Sequence, residues 1–287
     1  MTVRLAITLG RLNPTSWRET ALVADQLGFD AIFVSDHLVA PAQIAGSLHG
    51  SYDSRLVAPD TPLYDPLGYC MYLSGITEKI QLGTYVYLRG LRHPFVSARA
   101  AATLDQVSGG RALLGVGSGW LTSEFTAAGV QPSDRGSRLE EAIAVCRRLW
   151  CEDRIEHRGE HWSFPTVGFA PKPVRPKGVP ILVGGESNRA LRRAAGLGDG
   201  WMGMDGHTPA TAATKVARLR RLREEAGLAT EPFEITVGGA VRTADDYAAW
   251  DSAGVDRLVI TPWTSSRTAV RELREFASAI GMPADSN

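Results

Sequence analysis

The feature that most constrains this chain is the regular alternation of short apolar segments with stretches of helical periodicity. Eight such segments recur along the chain, and each is too short for a buried helix and is typical of a buried strand. They are Val3–Leu9, Phe29–Val34, Ile80–Tyr87, the segment beginning at Arg111, Val179–Val183, Gly200–Met204, Phe233–Ala240 and Asp256–Ile260. Strict alternation of strand and helix predicts a parallel sheet, and eight units are the number at which such a sheet closes. We therefore predict an α/β fold, a single (β/α)8 TIM barrel domain spanning residues 1–287.

Two long segments interrupt this alternation. Val39–Pro62 follows the second strand, and Cys151–Gly178 lies between the fourth and fifth strands; both are rich in proline or glycine and lack a sustained period. Because long irregular loops in compact domains are usually functional, we expect Val39–Pro62 to act as a lid or binding loop. The competing fold, an open doubly wound sheet, requires a topological switch point, and nothing in the order of elements marks one.

Composition excludes several classes of partner. Lys plus Arg and Asp plus Glu are equal at 31 each, so no net field attracts nucleic acid or an anionic membrane. The start of the chain lacks a signal-peptide pattern, and no apolar stretch approaches the length of a membrane span. The three cysteines show no paired spacing and are interpreted as thiols in a reducing compartment. We expect a soluble cytoplasmic protein that acts on a small molecule.

Polar residues cluster where the predicted strands end. In a (β/α)8 barrel the active site is built at the carboxyl ends of the strands, so these residues are expected to converge. Asp36 and His37 end the second strand, and a histidine there is either a proton donor or a group that only hydrogen-bonds the backbone. Adjacent strand residues point to opposite faces, so only one of the two side chains is expected to face the pocket.

Two glycine-rich turns are suited to a phosphate. Gly184, Gly185, Glu186 and Ser187 join a strand to a helix start, and Gly117, Ser118 and Gly119 follow the fourth strand. Exposed amides and a helix N-terminus favour an anion, although such glycines also form plain tight turns. The second turn is not a dinucleotide fingerprint, because Trp120 occupies the third glycine position, and it lacks the spacing of a nucleophile elbow. No two histidines have metal-ligand spacing on one predicted element.

Several motifs, taken together and in order, resemble one family. They are Phe33-Val34-Ser35-Asp36-His37, Leu82-Gly83-Thr84-Tyr85-Val86, Arg92-His93-Pro94, Leu104–Arg111, Leu114–Trp120, Pro171-Lys172-Pro173, Val183-Gly184-Gly185 and Gly198–Trp201. The chain resembles the luciferase-like monooxygenase superfamily of flavin and deazaflavin barrels, and within it the actinobacterial branch that uses coenzyme F420.

The resemblance implies a cofactor site at the barrel mouth. Its ring would lie against a non-proline cis peptide bond between Tyr85 and Val86, and Thr84, in the same motif, would also contact the cofactor. Its phosphate would bind at Gly117–Gly119 and at Gly184–Gly185, the same two turns identified above. Asp36 would contact the cofactor, and His37 would lie near the reacting carbon.

The resemblance also implies a reaction class. Sugar-phosphate dehydrogenases of this branch carry a catalytic glutamate where this chain has Trp120, so that activity is not expected, and Trp120 would pack over the cofactor or substrate. We expect an F420-dependent oxidoreductase that transfers a hydride to or from a small organic substrate, and a homodimer. The alternatives are an FMN-dependent monooxygenase on the same barrel and a non-catalytic flavin-binding barrel.

Overall fold

The predicted alternation closes into a barrel of eight parallel strands. The computed structural model describes residues 3–42, 45–46 and 61–282. The barrel strands are Arg4–Thr8 (β1), Ala31–Val34 (β2), Gln81–Tyr87 (β3), Ala112–Val116 (β4), Ile181–Gly184 (β7), Gly200–Met202 (β8), Glu234–Gly238 (β9) and Arg257–Ile260 (β10). Their order around the barrel is β1, β10, β9, β8, β7, β4, β3, β2. The (β/α)8 prediction is confirmed.

Helices connect these strands and cover the outside of the barrel. They are Pro14–Gln26 (α1), Pro66–Ser74 (α2), Pro94–Val107 (α3), Thr122–Ala127 (α4), Arg135–Cys151 (α5), Asn188–Leu197 (α6), Pro209–Glu225 (α7), Ala244–Ser252 (α8) and Ala269–Ala279 (α9). Arg89–Leu91 and Pro132–Asp134 form short 3-10 helices. Within the described part of the chain, none of the helices is both long enough and apolar enough to cross a bilayer.

The segment between β4 and β7 contains regular structure that its sequence did not indicate. Arg154–Arg158 (β5) and Ser163–Gly168 (β6) form a two-stranded antiparallel sheet beside the barrel. The expectation that Cys151–Gly178 is irregular was therefore wrong over these strands. The hairpin is fixed to α5 by Glu141, whose carboxylate lies 2.8 Å from His157 Nε2 and accepts the amides of His161 and Trp162. A tertiary contact of this kind has no local sequence signal.

The two ends of the barrel differ in chemistry. At the amino-terminal end, the nearly fully buried guanidinium of Arg257 pairs with Asp30 and Glu234, and Arg4 lies 2.7 Å from Glu234. Small and apolar residues fill the interior above this layer, namely Ala6, Ala31, Phe33, Leu113, Leu182, Met202 and Val259. The lower end is thus filled by an ion network and the middle by apolar packing, which leaves the carboxyl end of the strands open for a site.

Candidate active site at the barrel mouth

A cavity of about 210 Å³ opens at the carboxyl ends of the strands. Its walls come from the ends of, or the loops after, seven of the eight barrel strands, namely Thr8, Gly10, Arg11, Ser35, His37, Tyr85, Trp120, Asp205, Gly238, Val259 and Thr261. A larger cleft, of about 780 Å³, lies at the opposite end of the barrel beside α7 and contains none of the predicted site residues. Because this fold carries its chemistry at the carboxyl ends of the strands, we take the mouth cavity as the candidate active site.

His37 lines the cavity and is held by a carboxylate that the sequence did not reveal. Its Nδ1 lies 2.9 Å from Oε2 of Glu124, whose side chain is 0% exposed. The other carboxylate oxygen of Glu124, Oε1, accepts a hydrogen bond from the main-chain amide of Leu38 and lies 3.4 Å from the main-chain nitrogen of Val39. Nδ1 is thus occupied by Glu124, which leaves Nε2 as the ring nitrogen available to a ligand; with Glu124 as the acceptor, Nδ1 carries the proton.

Glu124 was missed because its partner is distant in the chain. It lies in the first turn of α4, 87 residues after His37, and in the sequence it reads as an ordinary acidic residue near a helix N-terminus. The sequence did hold one indication of its role. Glu124 closely follows the Gly117–Trp120 turn, which was already predicted to be part of the site.

Asp36 points away from the cavity into a buried ion pair. Arg92 donates from Nη1 at 2.7 Å and from Nη2 at 2.9 Å, and the amide of Leu88 donates at 2.8 Å. The Asp36 side chain is 0% exposed, and its hydrogen bonds join the end of β2 to the segment after β3. The expected contact between Asp36 and a cofactor does not fit this position. Of the two adjacent side chains, only His37 faces the cavity, which fits the expectation that one of them would.

The end of β3 shapes the floor of the site. The peptide bond between Tyr85 and Val86 is cis, as the resemblance implies. The Tyr85 hydroxyl donates to the carbonyl of Gly203 at 2.7 Å, and burial raises the pKa of this phenol, so it stays protonated. Thr84 is buried and its hydroxyl donates to the carbonyl of Gly115 at 2.7 Å. Thr84 does not line the cavity, and the expected contact between its side chain and a cofactor does not fit.

Val86 explains why two of the turn positions are glycine. A Cβ at Gly117 would lie 2.4 Å from Cγ2 of Val86, and a Cβ at Gly184 would lie 2.9 Å from its Cγ1. The Val86 side chain thus packs between the two turns from the barrel side. These two glycines are required by internal packing, and this packing brings the turns close to the end of β3.

The two glycine turns lie side by side, because β4 and β7 are neighbours that pair through Leu114 with Ile181 and Val116 with Val183. Within the described residues, the main-chain amides of Ser118, Gly119, Gly185 and Glu186 donate no hydrogen bond. Ser187 caps the adjoining α6, its hydroxyl accepting the amide of Ala190 at 3.2 Å. Unpaired amides beside a helix N-terminus form a surface that favours an anion.

The Glu186 side chain takes no part in this amide surface. Its Oε1 accepts the Met204 amide at 2.9 Å and lies 3.0 Å from His207 Nε2, and its Oε2 lies 3.1 Å from Lys215 Nζ. Burial alone raises the pKa of Glu186, but the hydrogen bonds from His207 and Met204, together with Lys215, outweigh it and lower this pKa to about 2. The carboxylate therefore holds the turn after β7 against the loop after β8.

Trp120 forms a side wall of the cavity. Its ring lies edge-on to the His37 ring, with centroids 6.1 Å apart. Beside it, Gly46 pairs with Leu121, and the amide of Ser123 donates to the carbonyl of Ala45 at 3.2 Å. Ala45 and Gly46 of the predicted Val39–Pro62 loop thus cross the start of α4 next to the site; residues 43–44 and 47–60 of that loop lie outside the described residues.

These features define a (β/α)8 barrel with a small cavity at its mouth, a histidine–carboxylate pair in the cavity wall and, beside it, an amide surface suited to an anion. The family model for luciferase-like monooxygenases matches residues 3–285, and the chain belongs to this family. It is therefore an enzyme, a luciferase-like oxidoreductase.

The chain is similar to several individual proteins. An uncharacterized protein of Mycobacterium tuberculosis is 31% identical over 271 residues, which cover 91% of this chain and 92% of that protein. An F420-dependent glucose-6-phosphate dehydrogenase of Kineococcus radiotolerans is 31% identical over 193 residues, which cover 66% of this chain and 52% of that enzyme. The structure of an F420-dependent secondary alcohol dehydrogenase with an F420–acetone adduct has a TM-score of 0.79 at 17% identity and covers 98% of this chain and 99% of that one, a likeness of fold.

Proposed function

We propose that this enzyme uses coenzyme F420 to transfer a hydride between the deazaflavin ring and a small organic substrate. The observation that carries the proposal is the His37–Glu124 pair in the wall of a cavity whose wall residue Trp120 directly follows one of two neighbouring turns with unpaired amides; the turn residues themselves do not line the cavity. A relative named as an F420-dependent dehydrogenase supports the choice of cofactor. The chain has Trp120 where the resemblance places the glutamate of the sugar-phosphate dehydrogenases, so we propose a different substrate.

The residues at the mouth fit such a cofactor. The amides of Ser118, Gly119, Gly185 and Glu186 would hold its phosphate. The ring would enter the mouth cavity above the Tyr85–Val86 bond. At about 210 Å³ the cavity is below the usual range of about 300–1,000 Å³ for small-molecule sites, so we propose that it takes a small substrate and the reacting edge of the ring, while the rest of the cofactor runs out across the turns. When bound, the deazaflavin supplies or accepts the hydride.

Residues of the chain itself would transfer the proton that accompanies the hydride. As a substrate carbonyl carbon gains the hydride, its oxygen gains a proton from Nε2 of His37, and solvent returns that proton to the imidazole; the reverse reaction uses the same steps. The Glu124 carboxylate stabilises the charged imidazolium and fixes the ring's orientation. Trp120 and the segment at Ala45–Gly46 cover one side of the cavity and limit the entry of water.

The second candidate is an FMN-dependent monooxygenase, because the family is that of luciferase-like monooxygenases; FMN is our own choice of cofactor for this candidate. Titration of the purified protein with F420 and with FMN, followed by fluorescence, separates the two. We expect saturable quenching with F420 at micromolar concentration and weaker binding of FMN. Binding of FMN with none of F420 would overturn the first choice.

The predicted homodimer and cytoplasmic location stay predictions.

A further inference from the structure

An ion pair spans the mouth of the cavity. Arg11, in the connection after β1, places Nη2 2.8 Å from Oδ2 of Asp205, in the connection after β8. The strands β10 and β9 separate β1 from β8 in the barrel, so the two side chains meet across the opening rather than between neighbouring strands. Both residues also line the cavity. A substrate that enters from this side meets this pair first.

A second carboxylate could replace Asp205 as the partner of Arg11. The side chains are 58% and 44% exposed, and ion pairs of this exposure contribute only about 0–1 kcal/mol. Within the described cavity wall, Arg11 is the only lysine or arginine, while the carboxylates nearby are already engaged: Glu124 with His37, and Glu186 with His207 and Lys215. A ligand carboxylate could therefore displace Asp205 from Arg11 at little cost and would gain a bidentate partner.

The position of Arg11 limits where the reacting carbon can lie. Arg11 and His37 follow the ends of the neighbouring strands β1 and β2, and both line the same cavity of about 210 Å³. A substrate that touches both within this volume would carry its anionic group within a few bonds of the carbonyl. A cavity of about 210 Å³ with one arginine in its wall suits a monoanionic carboxylate better than a phosphate dianion.

We propose that Arg11 anchors the substrate, that the substrate is a short-chain oxo acid or the corresponding hydroxy acid, and that the Asp205 carboxylate occupies the substrate's place on Arg11 until it binds. The proposal rests on the proposed function for the redox step, in which the oxo acid gains a hydride at carbon and a proton at oxygen. Asp205 is thus an internal competitor, so substitutions of the two residues must act in opposite directions on ligand affinity.

The test uses oxamate, a non-reacting analogue of a short oxo acid, and its neutral counterpart acetamide. Calorimetric titration of the enzyme, with and without F420, measures their affinities. We expect Arg11→Met to weaken oxamate binding at least tenfold, Arg11→Lys to restore part of it, and Asp205→Asn to strengthen it severalfold. Acetamide is expected to bind weakly and to respond to none of these changes. In turnover with reduced F420, the preference for pyruvate over acetone should fall at least tenfold in Arg11→Met.

Equal oxamate affinity in the wild type and Arg11→Met, or weaker binding in Asp205→Asn, would overturn the proposal. Circular dichroism and thermal melts of each variant identify a loss of folding, and Arg11→Lys retains the charge if Arg11→Met does not fold. If F420 fails to bind the wild type, the proposed function fails. Oxamate binding that still depends on Arg11 without F420 would then support the anion site on its own.

Discussion

Replacement of Glu124 by glutamine tests the central feature of the site. Glutamine keeps the volume of the buried side chain, and its carbonyl can still accept the amide of Leu38. Its NH2 group, however, would then face Nδ1 of His37, which would have to become an acceptor and move the ring proton to Nε2. A hydrogen bond to a charged group contributes about 1.5–3 kcal/mol, and about 1.4 kcal/mol corresponds to a factor of ten in rate. We therefore expect kcat to fall about 10- to 100-fold.

The assay is the oxidation of reduced F420 by the best carbonyl substrate from a small panel, measured in Glu124→Gln, His37→Ala and the double variant. If Glu124 acts through His37, the double variant will be no slower than His37→Ala, because the two changes remove the same function. The Kd for F420, measured by fluorescence, should stay within about twofold in all three. Unchanged kcat in Glu124→Gln, or losses that multiply in the double variant, would refute the role assigned to the pair.

Three further predictions concern the surroundings of the site. Ser118→Asp should weaken F420 binding more than tenfold without changing the melting temperature, whereas Ser118→Ala should do neither; normal affinity in the aspartate variant would remove this turn from the phosphate site. Because the folded-state pKa of Glu186, about 2, lies below its usual 4.5, its carboxylate stabilises the fold above about pH 4.5, and this stability is lost as the pH falls towards 2. Urea unfolding should show Glu186→Gln less stable than the wild type by about 1–2 kcal/mol at pH 7, discounted for partial exposure, with the difference shrinking below pH 4.5; a constant difference would exclude this linkage. Asp36→Asn removes the near counter-charge of the buried Arg92 guanidinium and leaves only the more exposed Asp65, 3.8 Å away; it should cost about 3–5 kcal/mol in the same measurement, and a loss below about 1 kcal/mol would contradict the buried pair.

The turn that follows β7 shows how the structure changes the choice of experiment. From the sequence, a carboxylate at Gly185 would be the direct way to repel a phosphate. The structure gives Gly185 a φ of +118°, and a Cβ there would lie 2.8 Å from Cβ of Ala190. Any side chain at this position strains the backbone, so a loss of cofactor binding could not be distinguished from a loss of folding. Ser118, an ordinary residue in the neighbouring turn, is the cleaner position.

Local pattern determined most of the fold. Each barrel strand is a short apolar run ended by glycine or polar residues, so all eight were located within a few residues of their observed bounds. The barrel followed from their alternation with helices, and the position of His37 at a strand end followed from the barrel. The hairpin of β5 and β6 was missed because its strands are half exposed and are held in place by Glu141 of α5, a contact between distant parts of the chain.

The sequence by itself thus determined the barrel, the end of it that carries the site, and the two glycine turns, because all three depend on residue spacing along the chain. The tertiary structure decided what each polar side chain does. It turned Asp36 into a buried partner of Arg92, and it brought Glu124 to His37 and Arg11 to Asp205. The physical reason is that an ionisable group takes its role from the charges and hydrogen-bond partners around it, and here those partners come from elements far apart in the chain.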